Sequence, residues 1–103
     1  MSTRATIKVV KNGETQYRIY HHCEGFPEGV GKELKEFLSN PDNYDADRLW
    51  EQGVNNGLEG DLSYEFESIT FMHGDEEFEY TIDTDNKKLL CYDIRREKYI
   101  DLY

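Results

Sequence analysis

The stretch "ATIKVVKNGETQYRIYHH", residues 5–22, decides the fold. Ala5, Ile7 and Val9 alternate with Thr6 and Lys8, which is the period of a strand with one apolar face. Asn12-Gly13 follows, a pair that tolerates the positive φ of a tight hairpin turn. The chain then alternates Tyr17, Ile19 and His21 against Arg18, Tyr20 and His22, so the two runs predict an antiparallel hairpin. A hairpin with one apolar face needs a cover, and the next residues supply it.

In "CEGFPEGVGKELKEFLSNP", residues 23–41, Val30, Leu34, Phe37 and Leu38 fall at i, i+4, i+7 and i+8, the stripe of a short helix that Pro41 ends. Ala46, Leu49, Trp50, Gly53 and Val54 repeat that stripe in a second helix, with Asp42, Asp45 and Asp47 where a helix N-terminus favours negative charge. Gly57 and Gly60 end it.

Strand periodicity then returns. Leu62, Tyr64 and Phe66 alternate with Ser63, Glu65 and Glu67, and a phase change toward Ile69 and Phe71 predicts a bulge near Ser68. After a turn at Gly74-Asp75, Phe78, Tyr80 and Ile82 alternate with Glu79, Thr81 and Asp83. After "DTDNKK", Leu90, Tyr92 and Ile94 alternate with Cys91 and Asp93. The tail "KYIDLY" fits either a last edge strand or a segment packed on the helices. The order ββααβββ predicts an α+β fold, an antiparallel sheet of about five strands with two helices on one face, in a single domain over residues 1–103. The other sheet face is then polar and acidic, shared by Glu65, Glu67, Glu79 and Asp83, with Asp75, Glu76 and Glu77 at the adjoining turn.

Charge narrows the function. The chain has 22 Asp and Glu against 12 Lys and Arg in 103 residues, a formal net charge of −10. That field opposes phosphate backbones and anionic membranes and favours basic proteins, so the expected partner is a protein with a basic surface, without direct nucleic-acid or membrane binding. Aromatic residues make up 14% of the chain, enough to build a core despite 33% charged residues. No apolar run approaches the ~20 residues that span a bilayer, and "MSTRATIKVV" does not read as a signal peptide. Cys23 and Cys91 lack a C-x-x-C partner, which fits reduced thiols in a cytoplasmic setting.

The run His21-His22-Cys23 invites a metal or a nucleophile. Adjacent strand residues point to opposite faces, so His21 and His22 do not converge on one ion, and no second ligand pair has zinc spacing; His73 joins only through the fold. Cys23 lacks an oriented base, and Glu24 disfavours its thiolate. No catalytic residue, metal or cofactor is assigned.

"GFPEGVGKE" leads into a helix whose free N–H groups suit an anion, with Arg18, Gly29, Gly31 and Lys32 as ligand-binding candidates for a nucleotide or similar anion. It is not a phosphate-binding P-loop: five residues separate Gly25 from Gly31-Lys32, and Glu33 stands where a magnesium-binding Ser or Thr belongs. The structural alternative uses the same residues: Gly25 and Gly29 for turns, Pro27 for a fixed φ, Gly31 for close packing on the sheet, and Lys32 paired with Glu36 at i, i+4. Phe26 at the loop tip is either a plug into the core or an exposed anchor.

The opening "STRATI", the run "YRIYHH" and the loop "EGFPEGVG" resemble a group of small uncharacterised phage, prophage and bacterial proteins with an N-terminal S-T-R-A-x-I and a Y-R-H-x-D-G-Y-P-x-G-x-G loop. Glu24 and Phe26 replace the usual Asp and Tyr, and the resemblance covers about the first forty residues. It implies a phage or mobile-element accessory factor, plausibly a counter-defence inhibitor acting in the host cytoplasm by occupying a site. Phe26, Glu65, Glu67, Asp75, Glu76, Glu77 and Glu79 are the expected contacts with a basic host protein, and the reading is compatible with a homo-oligomer.

Overall fold

The computed structural model describes residues 3–21, 25–50, 64–67 and 74–102, the segment 64–67 by its backbone. In chain order the strands are β1 (Ala5–Lys11), β2 (Glu14–His21), β3 (Tyr64–Glu67), β4 (Phe78–Asp83), β5 (Lys88–Asp93) and β6 (Lys98–Ile100). Between β2 and β3 lie a π-helical turn (Pro27–Gly31) running directly into α1 (Lys32–Phe37), a 3₁₀ turn (Pro41–Asn43) and α2 (Ala46–Arg48). The α+β class, the element order and the helical cover on one face are as the sequence predicts.

The six strands form one sheet in the order β3-β2-β1-β4-β5-β6. Every neighbouring pair is antiparallel except β1 and β4, which run parallel with Ile7 opposite Tyr80 and Val9 opposite Ile82. The sheet is therefore mixed. β3 adds to the free edge of β2, so the chain has to pass β2 and β1 before β4 can join the other side of β1. Alternation within a strand defines its faces and carries no information on the direction of its neighbour, which is why the parallel pair is invisible in the sequence.

Asn12 and Gly13 turn the first hairpin with φ of 55° and 77°, the left-handed values that this dipeptide tolerates. The two later hairpins share another device. Asp83 accepts from the N–H groups of Asp85 and Asn86, and Asp93 from that of Arg96, while Lys87 and Glu97 close the turns with φ of 53° and 54°. Each turn thus begins on an aspartate that satisfies the freed amides.

The core lies between the sheet and the helices. Ala5, Ile7 and Val9 of β1, Ile19 of β2, Tyr80 and Ile82 of β4, and Leu89 and Cys91 of β5 meet Val30, Leu34, Leu38 and Leu49 from the helical side. The register fixes the phase of β5: Leu89 lies opposite Ile82 and Cys91 opposite Tyr80. Leu90 and Tyr92 therefore point to the other face, the reverse of the phase that Leu90, Tyr92 and Ile94 suggest in sequence. The paired Leu89-Leu90 makes either phase readable. The tail does both things open to it: Lys98–Ile100 is the edge strand, and Leu102 then crosses to α1, where its carbonyl accepts from Lys35 Nζ at 3.0 Å. The second helical stripe beyond Trp50, the Gly57/Gly60 end and the bulge near Ser68 lie outside the described residues.

Candidate functional site

The glycine-rich loop is built by close backbone packing. The Gly25 N–H donates to the Thr3 carbonyl at 2.9 Å, and the Tyr80 hydroxyl donates to the Gly25 carbonyl at 2.7 Å. A Cβ at Gly25 would stand 2.7 Å from the Ala5 Cβ and 3.0 Å from the Ala5 nitrogen, and one at Gly31 would stand 3.2 Å from the Tyr80 ring and hydroxyl. These glycines let the loop and helix lie flat on β1 and β4. The amides a phosphate would need are engaged: Gly29 N–H bonds to the Phe26 carbonyl, and Lys32 N–H to the Gly29 carbonyl.

Of the four candidate anion ligands, Gly29, Gly31 and Lys32 come together and Arg18 does not. Arg18 projects from the opposite face of the sheet, buried, with its guanidinium 2.8 Å from Glu79. His21 is buried on the helix-facing side of β2 beside Ala5 in register. His22, Cys23 and His73 lie outside the described residues, among which no three His, Cys, Asp or Glu side chains gather for a metal ion.

The face opposite the helices is not the open acidic surface that alternation suggests. Thr6 and Tyr20 are buried there along with Arg18. Register places Glu67 opposite Arg18 and Glu65 opposite Tyr20. Glu79 pairs with Arg18 and lies 3.9 Å from Lys8; Asp75 accepts from the Tyr20 hydroxyl at 2.7 Å and pairs with Arg4 at 3.2 Å; Glu77 pairs with Arg95 at 2.7 Å. Glu76 is buried, its carboxylate accepting from the Gly74 N–H at 2.7 Å. Every described acid of this group is held by a cation, a hydroxyl or an amide. Burial, with the Asp75 carboxylate second, pushes the Tyr20 hydroxyl well above its ordinary pKa.

The exposed charge lies on the helical layer. Glu28, Glu36, Asp42, Asp45 and Asp47 are exposed and make no ion pair with any described residue. The Lys32–Glu36 pair expected from i, i+4 spacing is not formed. Asp45 caps α2, accepting from the amides of Asp47 and Arg48 at 3.0 Å, which leaves its charge facing solvent. These carboxylates were legible as the polar complement of the Val30/Leu34/Leu38 stripe, although β-strand alternation drew attention to the other face.

Among them runs an open groove. One hollow of ≈ 430 Å³ is lined by Pro27, Glu28, Gly31, Lys32, Lys35 and Leu102, and a second of ≈ 350 Å³ by Lys32, Lys35, Glu36 and Ser39. They share both lysines and form one trough along α1, walled on one side by the tail. Phe26 sits just before Pro27 with 37% of its surface exposed, so it is not a core plug. Leu90 and Tyr99 are exposed on the opposite face, where Tyr99 meets Tyr92 edge-to-face at 5.0 Å.

The fold and this surface define a small α+β protein with a mixed six-stranded sheet and a one-sided, carboxylate-rich helical layer. No protein-family model, curated protein or solved structure matches the chain. No described helix is long and apolar enough to cross a membrane.

Proposed function

We propose that this is a non-enzymatic binding protein of phage or mobile-element type, a counter-defence inhibitor that covers a basic surface of a host protein in the host cytoplasm. One observation carries the reading: five helical-layer carboxylates are exposed and unpaired among the described residues, in a chain of net charge −10. Unpaired carboxylates steer and hold a cationic partner, whereas carboxylates already bridged to arginine or lysine have little left to offer. The contact surface accordingly moves from the β3–β4 region to the helical layer, with Phe26 as an aromatic at its edge.

The test is affinity capture from bacterial lysate with quantitative mass spectrometry, at low and high salt. The wild type is expected to retain a protein with a basic surface, released by salt and lost in Glu28→Gln/Glu36→Gln/Asp42→Asn/Asp47→Asn, while Glu77→Gln still retains it. Equal capture by the fourfold variant, or no basic protein retained by the wild type, would discard the proposal.

A further inference from the structure

The groove along α1 specifies what kind of basic segment fits, an inference that rests on the charge reading above. Glu28 lines one end and Glu36 the other. Eight residues of helix separate them, about 12 Å along the axis. Between them the floor and walls are Pro27, Gly31, Leu102 and the aliphatic stems of Lys32 and Lys35, whose ammonium groups reach outward. Gly31 keeps that floor low, since no side chain stands above Tyr80 there. The Lys35 ammonium is held by the Leu102 carbonyl, which fixes the wall.

We infer that this trough receives an extended segment of the pattern basic-x-apolar-x-basic. In an extended chain, residues i, i+2 and i+4 share one face and span about 13 Å, close to the separation of Glu28 and Glu36. The outer two basic side chains meet the two carboxylates, and the central apolar side chain enters between Pro27 and Leu102. Lys32 and Lys35 then act as a filter. A basic residue at the centre would face two ammonium groups, so a uniformly basic segment is rejected although the surface as a whole attracts it. The two lysines in an otherwise acidic layer thereby acquire a role that net charge alone does not give them.

Two blocked pentapeptides, Lys-Ser-Leu-Ser-Lys and Lys-Ser-Lys-Ser-Lys, titrated into ¹⁵N-labelled full-length protein, test this. The leucine peptide is expected to bind about tenfold tighter, the lower end of what burying a leucine supplies, and to shift the amide signals of Gly29, Gly31, Lys32, Lys35 and Leu102. Lys32→Glu should shrink or reverse the preference, and Leu102→Ala should weaken the leucine peptide alone. Tighter binding of the lysine peptide, equal binding, binding of neither, or shifts confined to other residues would overturn the groove assignment. The charge reading fails separately, when the fourfold carboxylate variant captures as the wild type does.

Discussion

The hydroxyl of Tyr80 donates to the carbonyl of Gly25 at 2.7 Å, so a central strand of the C-terminal half holds the loop that launches the helices of the N-terminal half. Tyr80→Phe leaves a buried carbonyl without its donor and should cost about 1–2 kcal/mol in urea unfolding. Gly25→Ala should cost about 2–3 kcal/mol, because its Cβ meets the Ala5 Cβ at 2.7 Å and backbone atoms at 3.0 Å. Gly31→Ala should cost less, since the neighbour at 3.2 Å is the Tyr80 side chain. A Gly25→Ala protein as stable as wild type would contradict this packing.

Arg18 and Glu79 form the ion pair at 2.8 Å on the face opposite the helices, with side chains 9% and 21% exposed. Removing one partner strands the other. Arg18→Met should cost about 2–3 kcal/mol, less than a fully buried pair because Glu79 keeps some solvent and has Lys8 at 3.9 Å. The double variant Arg18→Met/Glu79→Leu should recover most of that loss, as apolar replacements of buried pairs commonly do. A double-mutant cycle by chemical denaturation reads the coupling, and strictly additive losses would show that the pair is not a unit.

Alkaline pH should weaken the fold. Burial, with Asp93 adding to it, pushes the Cys91 thiol up to about 11, and burial likewise raises the hydroxyls of Tyr17, Tyr20 and Tyr80. The native state keeps these protons where the unfolded chain releases them. Their stabilisation is complete below the ordinary thiol value, falls as pH rises from about 9 toward 11, and falls further once unfolded tyrosines ionise near 10. Each group removes about 1.4 kcal/mol per pH unit within its window. Urea midpoints measured from pH 8 upward, with tyrosinate absorbance as a second probe, should decline together. Midpoints that hold steady through pH 10.5 would refute the assignment of these groups to the core.

The elements were legible where one face is apolar and a turn residue marks the end. The Asn12-Gly13 hairpin, the Val30/Leu34/Leu38 stripe and the Phe78–Asp83 strand follow from period and turn chemistry alone. Three things did not. The parallel β1/β4 pair depends on a connection that alternation does not describe. The phase of β5 depends on which of Leu89 and Leu90 meets Ile82, and only the register decides it. The acidic face was misjudged because strand period tells which side Glu79 occupies and nothing about Arg18, Lys8, Arg4 and Arg95 arriving beside the acids. For the same reason the groove was out of reach: Leu102 and Lys35 are far apart in sequence and meet only in the fold.

The parallel seam also sets a clock on synthesis. β1 is among the first segments to leave the ribosome, yet its partner β4 spans Phe78–Asp83. Until those residues emerge, the nascent chain has a hairpin with one edge of β1 unmatched and Ile7 and Val9 without Tyr80 and Ile82 across from them. Such an edge pairs with whatever strand is nearest. The short β1–β2 hairpin is thus the early folder and the hazard, and closure of the sheet is a late event governed by a contact more than seventy residues long in sequence.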